Sequence, residues 1–215
     1  MPFRSIDCIL FNSLDGPASC ELADGWPLAG MFAKVVLSCS QLSVLATDQQ
    51  VRAVAQDLKE YIAELRQIPR TVKSEYQICN ALGGGILDWR IGDSQREELR
   101  FRDETEFNSK LTYDLPFTTE AWDTIMKSYG VKHDIVFTHV DLNMRNILVD
   151  ENMRLSGIVD WECAGWYPEY WEYTKGHFGV RVHVRWIADV IEQAFTQYPD
   201  ELEAGVMLAS MAPLW

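Results

Sequence analysis

The chain is poor in positive charge. Its 215 residues carry 19 Lys and Arg against 32 Asp and Glu, a formal charge of −13. Such a field repels nucleic acid and gives no hold on an anionic membrane surface, while tolerating a cationic small molecule. Cysteine is sparse too: Cys8, Cys20, Cys39, Cys79 and Cys163 are scattered, odd in number and without a CxxC pair. That pattern speaks against a disulfide framework or zinc ribbon, and a reduced, cytoplasmic setting is expected. The opening run MPFRSIDCILFNSLDG is broken at Asp7 and is too short for a membrane span. The histidines His133, His139, His177 and His183 form no HExxH, and neither a GxSxG elbow nor a dinucleotide-binding glycine pattern occurs. Metallohydrolase, serine hydrolase and nicotinamide chemistry thereby lose their usual sequence support.

What is present is a packable chain, 47% hydrophobic and 12% aromatic. Residues 1–30 are punctuated by Gly16, Pro17, Gly25, Pro27 and Gly30 and read as irregular, and the apolar stretch 31–46 suits either a strand or a buried helix. Thr47 followed by Gln50 predicts a capping box. Val51, Val54, Leu58, Tyr61 or Ile62, and Leu65 recur three and four apart on an amphipathic helix ahead of Pro69. Residues 71–119 read as a long connection with short helical pieces, and a helix near 119–128 is capped by Thr118 or Thr119. From Asp134 onward three short β-rich runs follow: IVFTH, NILVD and LSGIVD. Helical patterns return at about 169–178, 183–197 and 199–210, with Pro168 suited to a helix start and Glu169 and Glu172 on its opening turn. The aromatics Trp161, Trp166, Tyr167, Tyr170, Trp171 and Tyr173 suit helix packing better than a cage for a cation.

The chemistry-bearing unit is HVDLNMRNILVD, residues 139–150, followed by IVDWE at 158–162. Phosphoryl transfer needs an oriented hydroxyl and a Mg²⁺ ion held by oxygen ligands against the phosphates. Asp141 is suited to orient the hydroxyl and accept its proton, and Asn146 and Asp160 to supply metal ligands. A turn at 150–154, with Asp150 closing it, would pair the last two β-rich runs and bring Asp160 back toward Asn146.

This HxD…N segment, with its hydrophobic hairpin and second Asp, resembles the catalytic and metal loops of protein-kinase-like enzymes. Asp-Leu after the His, then NILVD and IVDWE, is similar to the aminoglycoside phosphotransferase and choline kinase branch. AGWYPEYWEY at 164–173 looks like that branch's fungal members. The similarity is strong over 133–178 and weaker over 48–132, where ELRQIP and FRDETEFN also resemble family segments.

The resemblance implies an α+β fold of the kinase-like C-terminal-lobe type, mostly helical, with a short β-hairpin carrying the catalytic and metal-binding loops. It implies Asp141 as catalytic base, Asn146 and Asp160 as Mg²⁺ ligands at the ATP phosphates, and His139 as a brace bonding to backbone near Asp160. Beside these, Asn143 is expected to make a loop-stabilising hydrogen bond or to touch substrate or Mg²⁺-bound water, Arg145 to be a surface or salt-bridging arginine or to neutralise phosphate, and Glu162 to form a structural ion pair, order the loop or bind a cationic acceptor. ATP is the implied co-substrate and a small-molecule hydroxyl the acceptor.

Two departures stand out. The family's usual glycine between the His and the Asp is Val140 here. The glycine-rich turn, phosphate-contacting lysine and helix carboxylate of a nucleotide lobe do not occur in order. Gly83-Gly84-Gly85 follows the long helix, and Lys34 with Glu60 lacks a preceding glycine loop. The expected organisation is an irregular segment or lobe remnant at 1–45 and a C-terminal lobe at 46–215. A silent kinase-like binding protein, or a truncated relative without activity, is the competing reading.

Overall fold

The computed structural model describes residues 37–38, 47–113, 115–178 and 190–211. Lys34, the segment before residue 37 and residues 183–189 of the helical stretch expected at 183–197 lie outside them. The elements are β1 (Leu37–Ser38), α1 (Asp48–Leu65), β2 (Cys79–Asn80), a 3₁₀ turn (Gly92–Gln95), α2 (Glu104–Thr112), α3 (Thr119–Tyr129), β3 (Ile135–Thr138), β4 (Ile147–Val149), β5 (Leu155–Ile158), β6 (Gly165–Pro168), α4 (Trp171–Phe178), α5 (Glu192–Ala194) and α6 (Pro199–Met211). This is a mostly helical fold with short strands. No described helix is long and apolar enough to cross a membrane.

Helix α1 forms where its local signals place it. The Thr47 side chain accepts from the Gln50 backbone, and the Gln50 side chain accepts from Thr47 N–H at 2.9 Å, a complete capping box. Its buried face is Val54, Ala55, Leu58, Ile62 and Leu65, with Val51 and Tyr61 packed at the edge. That stripe covers β4 and β5 through Ile147, Val149 and Ile158, joined by Leu142, Met144, Ile191 and Phe195. Helix α3 is capped by the Thr118 side chain, which accepts from Ala121 N–H.

Two three-stranded antiparallel sheets organise the rest, in the orders β1-β4-β5 and β2-β6-β3. The first contains the hairpin expected from NILVD and LSGIVD, in register Ile147↔Ile158. Asp150 closes its turn, its side chain accepting from the N–H groups of Asn152 and Arg154. The second sheet corrects the reading of residues 165–168. Pro168 does not open a helix but ends β6, and α4 begins at Trp171. Gly165 is required there, because a Cβ would meet the Cys79 carbonyl oxygen at 2.4 Å.

Alternate residues of β6 face different cores: Trp166 joins the α1 side, and Tyr167 packs with Ile78, Phe101, Phe107, Val140 and Trp171. The aromatic run is therefore core. Phe137 meets Trp166 edge-on at 5.2 Å, and Phe107 meets Trp171 at 4.8 Å. The long connection at 71–119 is ordered by β2, the Ile78–Phe101 bridge and a buried ion pair. Fully buried Asp88 accepts from Lys175 Nζ at 3.0 Å, Trp171 Nε1 at 2.6 Å and Arg90 N–H at 2.7 Å, tying this segment to α4.

Candidate functional site

The loop between β3 and β4 carries residues 139–146, and its shape begins at Val140. That residue is fully buried and holds φ 73°, in the left-handed region that β-branched side chains avoid. The position does demand the backbone conformation that would favour a glycine. Val140 N–H donates to Glu172 Oε2 at 2.8 Å, and Leu142 N–H to Glu172 Oε1 at 3.2 Å. One buried carboxylate on α4 thus grips the backbone on both sides of Asp141.

His139 is fully buried and completes the loop. Its Nε2 donates to the Val159 carbonyl at 2.9 Å, and its Nδ1 accepts from Asp141 N–H at 3.2 Å. Those two contacts fix the tautomer and commit both ring nitrogens, so the ring has no donor or acceptor left for a substrate proton. The edge of Trp161 covers it at 4.5 Å, and Trp161 Nε1 donates to the Ile158 carbonyl.

Asn146 lies next to Asp141. Its Nδ2 donates to the Asp141 backbone carbonyl at 2.8 Å and to Asp141 Oδ2 at 3.0 Å. Its own carbonyl accepts from Val159 N–H at 2.9 Å. Asn146 is therefore opposite Val159 across the hairpin, and Asp160 follows at φ 67°. Aspartate tolerates this conformation better than most residues. The Asp160 carboxylate makes no hydrogen bond or ion pair with any described residue. Asn146 thus bonds Asp141 through its side chain, and Asp160 lies one residue beyond its partner across the hairpin.

The remaining sequence candidates sit at the rim. Asn143 Nδ2 donates to the Asp141 carbonyl at 3.2 Å, and its Oδ1 accepts from Arg145 N–H and Nε at 2.9 and 3.3 Å. Asn143 is therefore spent on the loop itself. Arg145 is exposed and folded onto Asn143. Glu162 is exposed, without a hydrogen bond or ion pair to a described residue. Glu169 binds elsewhere, accepting from the Tyr198 hydroxyl at 2.9 Å.

Sequence reasoning had no role for Glu172. The available signal was a carboxylate between Trp171 and Tyr173 in a continuous apolar run, where an acidic side chain must find buried donors. Cys163 is buried just beyond Glu162. Burial pushes its thiol up to about 12, Lys175 opposing and the charges of Asp141, Asp88 and Glu162 adding to the rise.

The oxygen donors suit a hard divalent cation. The Asp160 carboxylate is uncommitted, and Asn146, having turned its amide nitrogen to Asp141, leaves Oδ1 free to ligate. Among the described residues no group of three His, Cys, Asp or Glu side chains is arranged to hold a metal ion.

No curated protein matches the chain. Among solved structures it is similar to the apo form of a thermostable mutant of aminoglycoside phosphotransferase APH(4)-Ia, at 17% identity and a TM-score of 0.47. The match covers 83% of this chain and 58% of that one, so the chain spans less than two thirds of its length. Residues 32–204 match the model of the phosphotransferase enzyme family, APH, and the chain belongs to that family.

Proposed function

We propose that this protein transfers a phosphoryl group from ATP to a hydroxyl of a small molecule, with Mg²⁺ as cofactor. What supports this reading is the contact of Asn146 with Asp141, together with the backbone pairing of Asn146 next to Asp160. Asn146 bonds Asp141 Oδ2 through its side chain and Val159, next to Asp160, through its backbone.

In the transfer, the acceptor oxygen forms a bond to the terminal phosphorus of ATP as the bridge to ADP breaks, and the hydroxyl proton passes to Asp141. Oδ1 of Asp141 makes no hydrogen bond to a described residue, which leaves it to meet that hydroxyl, while Asn146 holds Oδ2 in place. Asn146 Oδ1 and Asp160 would hold Mg²⁺, whose charge would offset that of the phosphate oxygens. His139 acts as a brace and not as a proton carrier, since both of its nitrogens are occupied. Glu162, exposed and unpaired, would meet a cationic acceptor.

The test is calorimetric titration of the full chain with ATP, with and without Mg²⁺, beside Asp160→Asn. Asparagine keeps the size and tolerates the backbone of residue 160, so the fold is preserved and the carboxylate alone is removed. Mg²⁺-dependent saturation by the native chain, lost in the variant, supports the reading and justifies a screen of amino-bearing alcohols. Folded native chain that binds no MgATP would mark a silent relative.

A further inference from the structure

A cleft lies against Trp171 and Thr174 of α4. It holds about 640 Å³ of empty space, counting its open mouth, among α3, α4, α6 and the end of α2. Its walls are largely apolar, with Leu111, Leu115, Leu208 and Ala209 among the lining residues. Asp141, Asn146 and Asp160 take no part in it.

One cation stands in this wall. The Arg90 guanidinium lies 3.9 Å over the Trp171 ring and 5.0 Å from the Phe178 ring. Its terminal nitrogens reach only the Thr174 hydroxyl, at 3.3 and 3.4 Å, and no carboxylate among the described residues pairs with it. One of them comes within 4.0 Å of where a Cβ on Gly205 of α6 would lie, so the charge reaches across the cleft. Tyr129 lines the same space, and its buried hydroxyl has no hydrogen-bond partner among the described residues.

The acidic groups nearby are already committed. Glu201 in the wall meets His133 Nε2 at 3.3 Å, and Glu104 accepts from His133 N–H at 2.9 Å and meets its Nδ1 at 2.7 Å. Asp88 is held by Lys175, Trp171 and the Arg90 backbone. Arg90 lies in the field of buried Asp88 and Glu172, yet its terminal nitrogens bond no carboxylate among the described residues, which leaves them to an external one.

We infer that this cleft binds a small amphipathic carboxylate, its anionic head on Arg90 and its apolar tail between α3 and α6. The head fits a planar guanidinium that still has donors to give, and the tail takes the place of water against leucine and alanine.

The probe is decanoate below its micellar concentration, titrated into the full chain by calorimetry and by Trp171 fluorescence, with decanol as the uncharged control. Decanoate should saturate at one per chain and bind at least about tenfold more tightly than decanol. Arg90→Met should bring decanoate down to the level of decanol. Ala209→Phe, which fills the cleft from α6 and leaves Arg90 in place, should abolish binding of both with the circular dichroism unchanged. Equal affinity for decanoate and decanol, no saturable binding by folded native chain, or undiminished binding in Ala209→Phe would overturn the assignment. Should Arg90→Met fail to fold, the decanol comparison and Ala209→Phe decide.

Discussion

Glu172 and Val140 are 32 residues apart, and the Glu172 carboxylate accepts the Val140 N–H at 2.8 Å while its other oxygen accepts that of Leu142 at 3.2 Å. His139 and Asn146 brace Asp141 from within the loop, while Glu172 holds the N–H groups on either side of it, next to a β-branched residue in the left-handed region. Glu172 thereby sets where Asp141 points without touching a substrate itself. Replacing it with glutamine keeps the volume but turns an amide nitrogen toward one of two buried N–H donors. Leaving such a donor unsatisfied costs about 1–3 kcal/mol. The Glu172→Gln variant should melt lower, and on the proposed phosphoryl transfer kcat should fall about 100-fold with a smaller change in KM, because Asp141 would be displaced and not removed. Steady-state kinetics beside a thermal melt checks this. A folded variant with native kcat would leave Glu172 without a positioning role.

Val140 itself offers a test of stored strain. Trimming a buried valine to alanine ordinarily leaves alanine about 0.5–1 kcal/mol better than glycine in regular structure. At φ 73° that order is offset, because a Cβ in the left-handed region costs about 1–2 kcal/mol that glycine avoids. Val149, equally buried in β4 and outside the left-handed region, is the control. The stability difference between Gly and Ala variants should be smaller at residue 140 than at 149 by about 1 kcal/mol, read from urea unfolding midpoints. Equal differences at the two sites would remove the strain.

Much of the site was legible because its signals are local. Thr47 with Gln50, the three-and-four spacing of α1, and Asp150 between two β-rich runs each act within a few residues, and all appear where the pattern places them. The hairpin then puts Asp160 beside Asn146 by register alone. What stayed hidden depends on distant partners. Residues 165–168 are buried throughout, so β6 shows no alternation, and its strand character comes from pairing with Ile135–Thr138 and Cys79–Asn80. Asp88 and Arg90 sit in a stretch that reads as polar connection, yet meet α4 more than 80 positions later. Glu172 belongs to the same class, its purpose visible only once α4 lies against the loop.

Cys163 should be inert in the folded protein. It is buried, and its thiol is pushed up to about 12, leaving on the order of one thiolate in ten thousand at pH 8. Treatment with N-ethylmaleimide at pH 8, read by peptide mass spectrometry, should leave Cys163 unlabelled over an hour in native protein and fully labelled in urea. Cys79, buried at the β2–β6 pairing, should behave alike. Rapid native labelling of Cys163 would mean that it is not buried with Tyr167 and Trp171 as described.

The hairpin bearing Asn146 and Asp160 is also anchored to α1 through Asp57. Its carboxylate accepts from Arg154 Nε at 2.7 Å, from a second Arg154 nitrogen, and from Leu155 N–H at 3.0 Å. The Arg154 hydrogen bond holds the Asp57 carboxyl below its usual value of 3.8, the Leu155 N–H and the Arg154 charge adding to this against a smaller effect of burial. The folded pKa lies below the unfolded one, so this anchor contributes stability in full above the unfolded pKa. The contribution is lost as pH falls through the folded pKa. Asp57→Asn should therefore melt below the native chain at pH 7, with the gap unchanged down to about pH 5 and closing as the pH falls below about 4. Raising salt should narrow the gap at pH 7 as well, since Arg154 is exposed. A gap that stays constant from pH 7 to pH 3 would show that Asp57 acts through shape and not through its charge.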